Sequence, residues 1–369
     1  MRYPSDVQVA VLYDREVTQL RQIVTMFLEH EQRDHGVRYN PIEIKEDCFY
    51  QYFGTNDLMI TFEHVQGQAS AAAFAQTLAS PVTRLTVPEA EGIIASHRSH
   101  VLINVSHSAM GGREIQAMLA QMGVDLPGNT YATFVRRLDY AARLGSLALR
   151  LPGAALVHWT LSNQLYSPAM FKELAKAGVP SPLHVHPYLF GQRGPGGEEL
   201  AGIRTFGVQH FLGREVEIEP SVLPWVANYE NILVFMRVAL ADNGYVIPDG
   251  DTFGNESRTI SYRVEHLPQQ DGQVGLYRLE PLLHREFGFQ SPDYVPDERR
   301  IDHARPPIDL MPANPAERAD LLGEWRAKES MARGIGGSFE VRARGEDPIP
   351  PPPPPGGNRL GRIFGRKAG

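Results

Sequence analysis

Between residues 7 and 281 the apolar residues switch period repeatedly, from two to about 3.6 and back, with no repeat of fixed length. Such switching, with strands mixed among single helices and a hairpin between them, favours α+β over a pure doubly wound sheet. Val7 to Tyr13 reads as a strand, and Asp14 reads as the N-cap of a helix with Val17, Leu20, Val24, Phe27 and Leu28 at three-four spacing. Strands follow over Pro41–Asp47 and Asp57–Val65. In the second, Leu58, Ile60 and Phe62 take one face while Thr61 and Glu63 take the other, as in a half-buried antiparallel strand. An Ala-rich helix covers Ala69–Ala79 and stops before Pro81, and another covers Pro88–His97. The short apolar run Val101–Val105 reads as a central strand.

A longer helix is expected from Thr130 to Arg150 behind an Asn129 cap, with Phe134, Leu138, Ala141, Gly145 and Ala148 inward and Arg136, Arg137 and Arg143 outward. Strand Ala154–Leu161, a helix opened by Ser167-Pro168, and strand Leu183–Phe190 come next. Gln192–Gly197 reads as a loop or an interdomain joint. Beyond it the pattern gives strand Ile203–Leu212, strand Glu215–Glu219, a helix with Val226, Tyr229, Leu233, Met236 and Leu240 on one face, and strands Arg258–His266 and Gly275–Pro281. The fold class is therefore α+β, with two mixed, mainly antiparallel sheet units each packed with helices. The expected divisions are 1–192, 197–290, an irregular stretch 291–333 with one helix from Pro315 to Arg333, and a disordered tail 334–369.

Composition narrows function more by exclusion. The chain has 369 residues, one cysteine (Cys48) and a formal charge of −7, so neither a disulfide framework nor a general attraction to nucleic acid is expected. Its first residues lack the apolar stretch of a secretory signal, and no apolar run reaches the length needed to cross a bilayer, which places the chain in the cytoplasm as an expectation. In the tail, six consecutive prolines (Pro350–Pro355) space a basic segment away from the folded body. There Arg359, Arg362, Phe364, Arg366 and Lys367 mix charge with apolar surface and suit an acidic protein partner or an anionic membrane surface.

Catalytic constellations stay incomplete. Ser108 follows a strand and a His107 turn, as the nucleophile does in α/β-hydrolases, but Met110 fills the place two residues on where that strained turn needs a small side chain. His184 and His186, two apart on an expected strand, could direct both rings to one metal ion, yet spacing supplies no third ligand. Glu215, Glu217 and Glu219 read as the solvated side of an edge strand. Asp249-Gly250-Asp251 reads as a turn, and no phosphate-binding glycine loop is present, so no cofactor is expected.

The stretch from Gly202 to Ile218 carries Thr205-x-Gly207 and Gly213-x-Glu215-x-Glu217, and Asn243 to Gly254 carries an Asp249-Gly250-x-Thr252 turn. Over about residues 197–280 this pattern resembles the bacterial domain of unknown function 4261. It is also similar to suppressor-of-fused-like domains, a likeness that implies an immunity or adaptor role. Neither resemblance transfers a catalytic residue. The expected function is a non-catalytic protein-binding module of a bacterial competition or secretion-associated system. Its alternative is a hydrolase or metal-dependent enzyme using Ser108 or His184 and His186.

Overall fold

The structure is a computed structural model and describes residues 3–45, 48–107, 129–194, 196–241, 246–255, 257–269 and 274–294. The expected helix Pro315–Arg333, the basic tail and Ser108 lie outside the described residues. Within them the chain is α+β, built on two seven-stranded sheets.

The first sheet holds β1 (Asp6–Tyr13), β2 (Tyr39–Lys45), β3 (Phe49–Gly54), β4 (Leu58–Gln66), β5 (Ser99–His107), β6 (Ala154–Trp159) and β7 (Gln164–Tyr166). Their spatial order is β2-β3-β4-β5-β1-β6-β7, every neighbouring pair antiparallel, so Val101–Val105 does lie in a central strand. Leu58, Ile60 and Phe62 of β4 are buried on one face, as their alternation requires. That face is covered by α1 (Leu20–His35) and, downstream, by the longer helix Tyr131–Ala148. The opposite face, over β1, β6 and β7, is covered by three short helices, α2 (Ala75–Ala79), α3 (Pro81–Thr86) and α4 (Ala90–Ser96). Helix α1 starts six residues after Asp14, behind Gln19, and the Asp14 carboxylate bonds the neighbouring Arg15 at 2.7 Å in place of a helix N-terminus.

Helix α5 (Tyr131–Ala148) buries its expected stripe of Phe134, Leu138, Ala141, Gly145 and Ala148. Its cap is Thr130, whose side chain and that of Thr133 bond reciprocally to the backbone. Asn129, expected as the cap, instead donates to the Tyr3 carbonyl and accepts from Arg137 at 2.6 Å. Arg137 is thus buried, not outward: it also donates to the Pro4 carbonyl and lies over the Phe134 ring, and burial pushes its guanidinium down to about 10.

Helix α6 (Pro168–Leu174), capped by Ser167 as expected, leads into the second sheet. Its strands are β8 (His186–Arg193), β9 (Glu199–Phe206), β10 (Glu215–Ser221), β11 (Thr252–Gly254), β12 (Ile260–Leu267), β13 (Leu276–His284) and β14 (Phe289–Gln290). The order is β11-β12-β13-β10-β9-β8 with β14 beside β13, and β10–β13 is the parallel pair. β8 and β9 pair as a hairpin as far as Arg193, which faces Glu199, so Gln192 and Arg193 of the expected loop belong to the end of β8. The expected strand Ile203–Leu212 ends at Phe206, where Gly207 takes a φ of +109° and the one-turn helix α7 (Gln209–Leu212) begins. Helix α8 (Trp225–Ala241) then packs Tyr229, Ile232, Phe235 and Met236 inward.

One apolar cluster runs through both sheets, joining Val9, Phe62 and Ile103 to Ile203, Val216 and Tyr229. Phe134 meets Phe211 with ring centroids 5.2 Å apart, and the Tyr229 hydroxyl donates to the Val185 carbonyl at 2.7 Å. No helix among the described residues is long and apolar enough to cross a membrane.

Candidate functional site

His184 and His186 sit where the two sheets meet, but they do not form a pair on one strand. β8 begins at His186, and His184 belongs to the turn before it. The His184 ring lies edge-on between Trp159 and Phe211, with Nδ1 3.0 Å from the Ser181 hydroxyl. His186 Nε2 lies 2.7 Å from the Ser80 hydroxyl, at the joint between α2 and α3. Desolvation pushes the two imidazoles down to about 3 and about 4, so both are neutral at physiological pH. The Ser80–His186 contact has the length of a nucleophile–base pair. However, Ser80 is 1 % exposed and His186 Nδ1 has no partner, so the hydroxyl is closed off from substrate and no third group orients the base. Among the described residues no three His, Cys, Asp or Glu side chains are placed to hold a metal ion. His97, at the end of α4, has both ring nitrogens bonded to backbone, at Ala69 and Ile94.

Glu215 departs furthest from its expected role. Placed by alternation on the solvated side of β10, it is buried beneath the β9–α7 turn. Its carboxylate accepts from the Thr205 hydroxyl at 2.7 Å, the Gly207 N–H at 2.9 Å and the Val208 N–H at 3.1 Å. Burial nevertheless outweighs these donors and pushes the carboxyl up to about 7. Gly207 is needed for two reasons: its φ is positive, and a Cβ there would collide with the His184 carbonyl oxygen. Thr205-x-Gly207 and Glu215 are thus one architectural unit that fixes the seam below His184. Glu217 and Glu219, by contrast, do stay toward solvent, where both reach Arg278. Gly250 takes the positive φ expected of its turn, whereas Gly254 is required for a close approach to the Ile260 carbonyl.

Two clefts open on the first half of the chain. The larger, about 660 Å³, lies between the start of α1 and the end of β4 and is lined by Glu16, Thr18, Arg21, Cys48, Glu63 and His64 among others. Both charge signs and one thiol share it, with no convergent set of bonds. The smaller, about 420 Å³, runs between α2, α3 and α4 past Leu78, Thr83, Val87 and Ala90. Neither contains the His184–His186 seam. No sequence signal marked the larger cleft, because its lining comes from segments far apart in the chain, whereas the smaller one is lined from the single stretch 75–91.

The most exposed element is β2. Every residue from Asn40 to Lys45 faces solvent, including Ile42 and Ile44, which are 56 % and 49 % exposed. As the last strand of its sheet, β2 has a free hydrogen-bonding edge among the described residues. Pro41 and a register shift between Pro41 and Glu43 interrupt that edge in its first half. The partner-binding candidates Arg359, Arg362, Phe364, Arg366 and Lys367 lie outside the described residues. No family model matches the chain, and no curated protein or solved structure matches it either.

Proposed function

We infer that the chain is a non-catalytic, cytoplasmic protein-binding module, acting as an immunity or adaptor protein in a bacterial competition or secretion-associated system. The observation that carries this reading is β2, an edge strand that presents Ile42 and Ile44 to solvent next to backbone groups that have no strand partner among the described residues. Sheets recruit extended partner segments in this way, the backbone supplying affinity and alternate side chains supplying choice. The bulge and Pro41 leave Glu43–Lys45 as the stretch open to pairing. Glu215 fits the same reading, since its carboxylate is spent on Thr205, Gly207 and Val208 of the fold. The likeness to domain of unknown function 4261 belongs to this proposal too. The basic residues Arg359 to Lys367 would add an acidic partner surface or an anionic membrane as a second contact.

Affinity capture from the producing cells, with the wild-type chain and an Ile42→Lys/Ile44→Lys variant, tests the proposal. A specific protein retained by the wild type and lost by the variant, with the denaturation midpoint unchanged, is the expected result. Retention of the same protein by both chains would move the contact away from β2. Stoichiometric zinc, or fluorophosphonate labelling abolished by Ser108→Ala, would overturn the non-catalytic reading.

A further inference from the structure

A row of facing residues crosses the first sheet from strand to strand: Ile44, Tyr50, Phe62, Ile103, Val9 and Trp159. Ile44 alone among them is exposed, so the apolar row stops open at β2. Glu43 and Lys45 alternate onto the opposite face, where both are exposed and lie 2.9 Å apart. The Cys48 N–H donates to the Lys45 carbonyl at 3.3 Å, which turns Lys45 toward its own hairpin. By the alternation of an antiparallel ladder, Ile44 then turns its N–H and C=O to the open edge.

We propose that a second copy of this chain pairs with β2 across a two-fold axis at Ile44, continuing the first sheet from one molecule into the next. The proposal rests on the reading of β2 as a pairing edge, and names what occupies that edge when no other partner is bound. Register decides the occupant. Facing residues of an antiparallel pair share a face of the sheet, so a two-fold axis passes through a single residue of β2. An axis at Glu43 sets glutamate against glutamate, and one at Lys45 sets lysine against lysine, which repel. An axis at Ile42 falls on the bulge and brings in Pro41, which has no N–H to give. An axis at Ile44 sets Glu43 against Lys45 twice and joins the two Ile44 side chains, so the apolar row runs on into the second copy. It also lets the two Ile44 backbones exchange N–H···O=C bonds. A lysine on an edge strand ordinarily guards it against pairing. Glu43, two residues earlier, gives this lysine an opposite charge to meet in an identical strand. So short a stretch buries far less than the ~1,200 Å² of a stable complex, so the dimer is weak and gives way to a tighter partner.

Sedimentation velocity of the full chain, from micromolar to sub-millimolar concentration, tests the proposal. The wild type is expected to pass reversibly from monomer to dimer as concentration rises. Glu43→Lys and Lys45→Glu each set like charges face to face and should weaken the dimer about tenfold or more. Mixed in equal amounts, these two variants should associate again, because each strand then meets its opposite. The double variant Glu43→Lys/Lys45→Glu should dimerise like the wild type. A wild type that stays monomeric throughout, or a dimer that both single variants leave intact, would overturn the proposal. If that monomer still captures a protein that Ile42→Lys/Ile44→Lys loses, the second copy is excluded while β2 keeps its role for another partner. A dimer that obeys the charge rule, with no protein captured, would uphold the self-pairing and remove the wider reading.

Discussion

Burial acts on an acid at Glu215 and on bases at His184 and His186, and the resulting pH dependences oppose one another. Glu215 rises from 4.5 to about 7 on folding, so its contribution is complete below pH 4.5 and is lost as pH rises through 7. The two histidines fall from 6.5 to about 3 and about 4, so theirs is present above pH 6.5 and is lost as pH falls toward 3–4. Between pH 8 and pH 5 the histidines together cost about 4 kcal/mol while Glu215 returns about 2–3 kcal/mol. His158 and His210, also depressed by burial, act in the same direction as His184. Unfolding free energies from urea titrations should therefore fall from pH 8 to pH 5 in the wild type, and more steeply, by about 2–3 kcal/mol, in Glu215→Gln. Parallel curves for the two proteins would contradict this account. None of it was legible at Glu215 from periodicity alone, because Glu215, Glu217 and Glu219 share one alternation and differ only in depth along β10. The usable signal was the glycine: a strand-end Gly207 two residues after a Thr calls for a nearby acceptor for its N–H.

Helices α1 and α5 are pinned to each other by a polar contact as well as by packing. Glu31 of α1 is fully buried and receives Arg143 Nη2 at 2.5 Å and the Tyr140 hydroxyl at 2.6 Å, while Arg143 also lies over the Tyr140 ring. Arg143→Ala leaves a buried carboxylate without its cation and should cost about 3 kcal/mol in denaturant unfolding. Replacing both partners with Glu31→Leu and Arg143→Met should regain most of that loss, and failure to do so would show that the pair does more than neutralise itself. Elements with one dry face were readable from the sequence: β1, β4, β5, α5 and α8 all fall where the apolar period puts them. β3 was missed because Phe49-Tyr50-Gln51-Tyr52-Phe53 offers large rings on both faces and hides its alternation. The Ala-rich helix expected over Ala69–Ala79 does stop before Pro81, but it is split, with a 3-10 turn over Ala71–Phe74 ahead of α2. The chain then restarts at that proline, which sits in the first turn of α3, where a missing N–H costs little.

At the scale of the whole molecule, the two sheets share one interior. Phe211 of α7, between β9 and β10, packs against Phe134 of α5 and against His184. Phe211→Ala should cost about 3–5 kcal/mol, and both sheets should still melt in one transition followed by fluorescence and circular dichroism. Two separated transitions would show that the shared interior does not couple them. The α+β class was legible from mixed periodicity, but the continuity of the core was not, because Phe134 and Phe211 meet across a distance in sequence that no local pattern records. Of the two readings that Gln192–Gly197 allowed, a loop or a joint, composition could not choose: it marks a bend and does not say whether the flanking strands pair, as β8 and β9 do. The parallel contact of β10 with β13 bears on biosynthesis. β1, the earliest strand made, already lies at the middle of the first sheet, which is complete once Tyr166 has emerged from the ribosome. The second sheet cannot close until Leu276–His284 slots between β10 and β12, so a nascent chain halted before that point exposes an open flank on which chaperones would act.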